Sequence, residues 1–247
     1  MPGDGSDVGS RPVVRSWSIV DFVYVWFGGF FGAAIFFGIG LLFESSDWAV
    51  VFALAGQYIG NLSVLWILKK RKEDGDLGFS IETRDTYYIG LGLILQLGLA
   101  LLFFPLAEWL FPDGRPPQQV AEALADLDSS IVLRVSLIVA AVVLAPVTEE
   151  LVFRGVLLRA IQHRGRLFAM VVSAAVFSAI HVPGLGLERM LASAVVVLPP
   201  IFILGVLLAW ITIRTERLGP AIFIHSGWNL LAAVVLLIPP EMLEAAS

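Results

Sequence analysis

Apolar residues run along this chain in blocks of bilayer length, separated by short polar stretches. Seven blocks can be marked, near residues 19–43, 48–68, 87–111, 131–161, 167–182, 189–213 and 219–238. A hydrocarbon core of about 30 Å is crossed by about 20 apolar residues in helix. Backbone polar groups in lipid must be satisfied within the chain, and no porin-like alternation is present, so helix is the reading for every block. The pattern predicts an all-α fold, a multi-pass transmembrane helical bundle of about seven spans, with room for an eighth half-span or re-entrant piece. The fourth block is long and carries charge, and the fifth is short.

The polar stretches divide the chain. Residues 1–18, rich in Gly, Ser and Pro, predict a disordered cytoplasmic tail. Residues 19–111 hold three N-terminal helices, with Gly28 and Gly32 spaced for close helix packing. Residues 112–130 predict an outer loop in which Val120, Leu124 and Leu127 suggest a short amphipathic helix. Residues 131–238 hold the chemistry, and 239–247 form a C-terminal tail. The first block is longer than a signal peptide's apolar region, so it reads as an uncleaved first helix.

Basic residues gather in alternate connections. Arg11 and Arg15 precede the first span; Lys69, Lys70, Arg71, Lys72 and Arg84 lie between the second and third. Arg159, Arg164 and Arg166 surround the fourth-to-fifth turn, and Arg214 and Arg217 the sixth-to-seventh. By the positive-inside rule this predicts a cytoplasmic N-terminus and an outer C-terminus. The expected setting is the plasma membrane of a bacterium or archaeon.

Composition agrees with the pattern. The chain is 58% hydrophobic and 15% charged, with a mean hydropathy of +0.87, against about 45–50% and about 25% in soluble domains. The expected partner from composition is therefore the lipid bilayer; no basic arm or nucleic-acid motif appears. There are no cysteines, which removes thiol nucleophiles and thiolate ligands. Any metal must be held by His, Asp or Glu.

Against this background "LAPVTEELVFRG", residues 144–155, places Glu149, Glu150 and Arg154 inside an apolar run. Each charge costs roughly 2.5–3.5 kcal/mol at mid-bilayer on insertion scales. Glu150 and Arg154 are four residues apart and can pair on one helix face. Glu149 projects about 100° away and has no cation at helical spacing. Two further motifs follow. "FSAIH" ends the fifth block with Phe177 and His181, and "HSGWN" in the seventh places His225 and Asn229 on one face. Glu150 and His181 each lie about 23 Å from the turn at Gly165 at 1.5 Å per residue, so two antiparallel helices bring them to one depth. His225 and Asn229, about 12 and 18 Å beyond Arg217, match that depth more loosely.

In this order, EExxxR, FxxxH and HxxxN resemble the CAAX-protease and bacteriocin-processing family, also called Abi, over residues 131–238. The resemblance implies intramembrane endopeptidase activity. It casts Glu149, Glu150, Arg154, His181, His225 and Asn229 as the site. In one version Glu149 activates water, His181 shares its proton, and His225 with Asn229 stabilises the oxyanion. In the other, Glu149, His181 and His225 hold Zn2+. No HExxH helix decides between them. The implied substrate is a membrane-associated peptide or protein, either a prenylated CAAX tail or a signal- or bacteriocin-like peptide. Ser226 lacks the GxSG setting of a rhomboid serine, and "EDGDLG" falls in a polar loop rather than a span. A reading of another class stands beside it: a non-enzymatic scaffold, immunity or transport protein using its buried charges structurally or as a proton path.

Overall fold

A computed structural model describes residues 17–43, 46–72, 75–112, 131–185 and 189–237. Within them the chain is all-helical. α1 spans Ile19–Gly40, α2 Ser46–Lys70, and α3 Tyr88–Leu110 after a 3-10 turn at Thr83–Tyr87. α4 runs over Ile131–Arg164, α5 over Arg166–Ala179, α6 over Met190–Thr215 and α7 over Gly219–Leu237. Among the described residues six helices are long and apolar enough to cross a membrane, with α7 a shorter apolar helix. Residues 1–16, the predicted amphipathic piece after Pro112 and the tail at 239–247 lie outside the described residues.

Side chains that a soluble protein would hide face outward: Ile35, Ile94, Leu101 and Trp109 are each more than 60% exposed. Lipid supplies their solvent. α1 and α2 form a tight pair. A Cβ built at Gly28 would stand 3.0 Å from the Gly60 carbonyl oxygen, so glycine is what allows the two backbones to meet.

The charged connections meet at one end of the bundle. Ser18 caps α1 in a capping box with Asp21, and Asp21 pairs with Lys72 at 2.9 Å. Trp17, the residue before that cap, is buried and donates its indole N–H to the Asp76 carbonyl. Residues 75–82 then pass beneath α4 and α7 as a strap. Leu77 packs on Gly155, and the Gly78 and Ser80 carbonyls accept from the Leu218 and Gly219 amides. Gly78 has φ of +68°, and a Cβ there would collide with Arg159, so this position needs glycine twice over. Arg217 donates to both oxygens of the buried Asp85 at 3.0 Å, and those hydrogen bonds raise its pKa above the ordinary arginine value. At the opposite end Arg189 lies over the Phe111 ring.

α4 differs from a regular α-helix. It is π-helical over Ala140–Leu144 and again over Leu151–Leu158, with an α-helical turn, Ala145–Glu150, between. Pro146 supplies a cause for the first stretch. In an α-helix its ring would press on the carbonyl four residues back. The wider register relieves that contact, and the Ala145 amide bonds Ala140 five residues earlier. The same register would pair position 146 with the Ala141 carbonyl, but proline has no N–H. Asn229 of α7 supplies the missing donor, its Nδ2 standing 2.7 Å from Ala141 O.

Candidate active site

The site begins between the two π-helical stretches, where α4 carries Glu149 and Glu150. Glu150 turns inward and is fully buried. Its Oε1 accepts from Arg154 Nη1 at 3.0 Å, the i,i+4 pair expected from sequence. Arg154 is also fully buried; its Nη2 donates to the Gly205 carbonyl of α6 at 3.0 Å, and its guanidinium lies 4.5 Å from the centre of the Phe177 ring. A buried ion pair persists where its remaining polar groups find partners. Here the need is met in part: α6 gives a backbone acceptor and α5 an aromatic face, while Glu150 Oε2 and Arg154 Nε have no hydrogen-bond partner among the described residues.

The same Oε1 of Glu150 stands 3.0 Å from His225 Nδ1 on α7. A carboxylate held by arginine only accepts, so Nδ1 carries the proton and donates. His225 Nε2, bare when the ring is neutral, faces Glu149 Oε2 at 3.8 Å. That separation is outside direct hydrogen-bond range. One water touching both atoms would be held between them. Glu149 therefore turns away from its neighbour toward an open side, its side chain 18% exposed against 0% for Glu150.

His181 lies near the end of the fifth candidate span, Arg166–Gly184, as expected, but past its regular α-helix. α5 ends at Ala179, and His181 lies in the turn beyond it, half-buried. Its Nδ1 is 2.8 Å from the Phe177 carbonyl, which can only accept, so His181 too exposes Nε2. Phe177 meets both imidazoles edge-on, with centroid distances of 5.2 Å to His181 and 5.6 Å to His225. The depth argument paired Glu150 with His181; the geometry instead pairs Glu150 with His225, and sets His181 with Glu149 on the wall of one cavity. The third histidine, His163, is exposed in the turn before Gly165 and lies outside the site.

That cavity has a volume of about 410 Å³. Residues 180–185, Val197 and Ile201 close one side of it, and α1 and α2 close the other with Trp26, Phe30, Gln57 and Asn61. The α1–α2 wall was not legible from sequence, where these helices carry only generic membrane patterning. The signal available was a pair of carboxamides four apart in an apolar span. Asn229, on the far side of His225, spends one amide hydrogen on Ala141 and keeps the second.

The expected zinc set can be tested against this geometry. Both imidazoles are fixed in the tautomer that metal ligation through Nε2 requires, each by a partner on Nδ1. Even so, among the described residues no three His, Asp or Glu side chains are grouped closely enough to hold a metal ion. As placed, Glu149, His181 and His225 do not fit a zinc site, and no step below is routed through one.

Comparison with known proteins adds one finding. Residues 131–231 match the model of the family described as Rce1-like, type II CAAX prenyl endopeptidase. No curated protein and no solved structure matches the chain. α4 to α7, which bring the buried pair, both histidines and the asparagine together, lie almost wholly inside the matched residues. The likeness is to a family of type II CAAX prenyl endopeptidases and covers residues 131–231, less than half of the chain.

Proposed function

We propose that this protein hydrolyses a peptide bond of a membrane-associated peptide at the Glu149 face of the cavity. The observation that carries the reading is the approach of Glu149 to His225 Nε2, with His181 on the same cavity wall. Glu149 takes a proton from water as general base, and the hydroxide adds to the scissile carbonyl. His181, through Nε2, receives that proton and passes it to the leaving amine. The developing oxyanion is met by the free amide hydrogen of Asn229, while His225 Nε2 accepts from the attacking water and holds it beside Glu149. Glu150 fixes the His225 ring through Nδ1, and Arg154 holds Glu150 in place.

The substrate class we infer is a peptide bearing a lipid or a membrane-embedded segment. A prenylated CAAX tail and a signal- or bacteriocin-like peptide both suit an apolar cavity ended by a carboxylate and an imidazole. We place the basic end of the bundle in the cytoplasm of a bacterium or archaeon, following the loop charges.

The test is cleavage of a farnesylated peptide with a CAAX-type end by the protein in proteoliposomes. Glu149→Gln, His181→Ala and His225→Ala are each expected to lose at least about 100-fold in kcat, the scale of a missing acid–base group. Undiminished turnover in any one removes that residue from the mechanism. A scaffold or proton path predicts no turnover in the parent protein.

A further inference from the structure

Asn61 poses a problem that the chemistry above does not use. It sits on α2, far in sequence from the residues 131–231 matched to the family, and is only 5% exposed. Its Oδ1 is buried with no hydrogen-bond partner. An unmet buried amide oxygen is destabilising, more so in a membrane where water cannot reach it. The neighbouring helix makes room for it all the same: a Cβ at Gly29 of α1 would collide with the Asn61 carboxamide, and glycine stands there. An apolar residue at position 61 would pack this helix pair with no unmet polar atom.

Asn61 also lines the cavity that holds Glu149 and His181, and so does Gln57. The two are four residues apart, hence on one face of α2. At 1.5 Å rise per residue their Cα atoms are separated by about 6 Å along the helix. In an extended peptide, groups on the same edge recur every second residue, at about 6.6–6.8 Å. Gln57 offers a donor and an acceptor, as a peptide unit does, and Asn61, its Oδ1 set against Gly29, has its Nδ2 donor to offer. The spacing and the hydrogen-bonding capacity therefore match two successive same-edge peptide units of an extended strand.

We propose that Gln57 and Asn61 form a clamp for the substrate backbone. They bind the peptide in extended form along α2 so that its scissile bond faces Glu149 across the cavity. Recognition of this kind ignores side-chain identity, and leaves specificity to the apolar remainder of the cavity. It gives α1 and α2 a part in binding that the matched residues alone do not supply. The proposal rests on the endopeptidase reading above.

The experiment uses the full-length protein in proteoliposomes, a quenched fluorescent farnesylated CAAX-type peptide, and a series of that peptide N-methylated one amide at a time around the cleaved bond. In the parent protein at least one N-methyl analogue is expected to lose about tenfold in kcat/KM. Gln57→Ala and Asn61→Ala should each raise KM by about two- to tenfold, the range of one hydrogen bond, with kcat changed by less than about twofold. In Gln57→Ala the N-methyl penalty at its own contact should vanish, which a purely structural residue would not produce. Should Asn61→Ala fail to fold, Gln57→Ala, whose side chain is only half-buried, decides the matter. An N-methyl penalty unchanged in Gln57→Ala, or a fall in kcat at constant KM, overturns the clamp and leaves the endopeptidase reading standing. No cleavage of the unmodified peptide by the parent overturns both.

Discussion

Glu149 and Glu150 are chemically the same and adjacent, yet their surroundings divide them. Glu150 shares one oxygen between a guanidinium and an imidazole and has no exposure; Glu149 faces a cavity and an imidazole lone pair. The division follows from helix geometry, which turns neighbours about 100° apart. Removing Arg154 strands a fully buried carboxylate, so Arg154→Ala should cost about 3–5 kcal/mol of stability. Unfolding in detergent measures this, and a variant as stable as the parent would contradict the pairing. The metal question is tested at the same scale. The two histidines and Glu149 are not grouped as a ligand set, so activity should survive exhaustive chelation, with less than about one metal per several chains. Loss of activity on chelation, restored by zinc, would show that the three side chains regroup around an ion. The Glu150–Arg154 pair was legible in sequence because four-residue spacing is a local property. The closeness of Glu150 to His225 was not, because it depends on how α7 leans on α4, and counting residues from a turn fixes depth only for straight, parallel helices.

Among elements, α4 departs furthest from expectation. Apolar periodicity marked its length well but could not register the change from α- to π-helical turns, since both keep the block apolar. Pro146 was the local sign. Asn229 stands in for its missing N–H at the Ala141 carbonyl, which gives this residue a structural duty beside any in catalysis. The two roles separate by a double-mutant cycle on stability. Asn229→Ala should cost about 1–2 kcal/mol, as a carbonyl loses its donor. In a Pro146→Ala background, where the backbone regains an N–H, the same change should cost less by about 1 kcal/mol. Additive losses would refute the substitution of side chain for backbone. α5 teaches a related lesson. Its apolar block predicted a helix reaching His181, whereas the helix stops at Ala179, just ahead of "HVPG". In a continued α-helix the Pro183 ring would press on the Ala179 carbonyl, and proline has no N–H to donate to it. The chain passes instead into a 3-10 turn at Val182–Gly184.

For the molecule as a whole, hydropathy alone located the seven helices, because apolar length is all a bilayer demands of a span. It gave no view of which helices face each other, so the wall built by α1 and α2 around the cavity appeared only in three dimensions. The polar strap at 75–82 is another feature of this scale. It ties the α2–α3 connection to the start of α7 through Asp85 and Arg217, and thereby sets the angle at which His225 arrives. Arg217→Ala is expected to lower stability by about 2 kcal/mol. That is less than the value for a fully buried pair, because the Arg217 side chain is 20% exposed. It should also reduce kcat more than a surface change elsewhere would. Full activity at reduced stability would show that the strap holds the fold without aiming the histidine.

The most direct test is a comparison of the parent protein with Glu149→Gln in proteoliposomes, each checked for equal thermal stability, against a farnesylated CAAX-type peptide. The predicted result is site-specific cleavage by the parent and a loss of at least about 100-fold in the variant, since the glutamine keeps the shape but cannot take a proton. Equal cleavage by the two proteins would contradict the account at its centre.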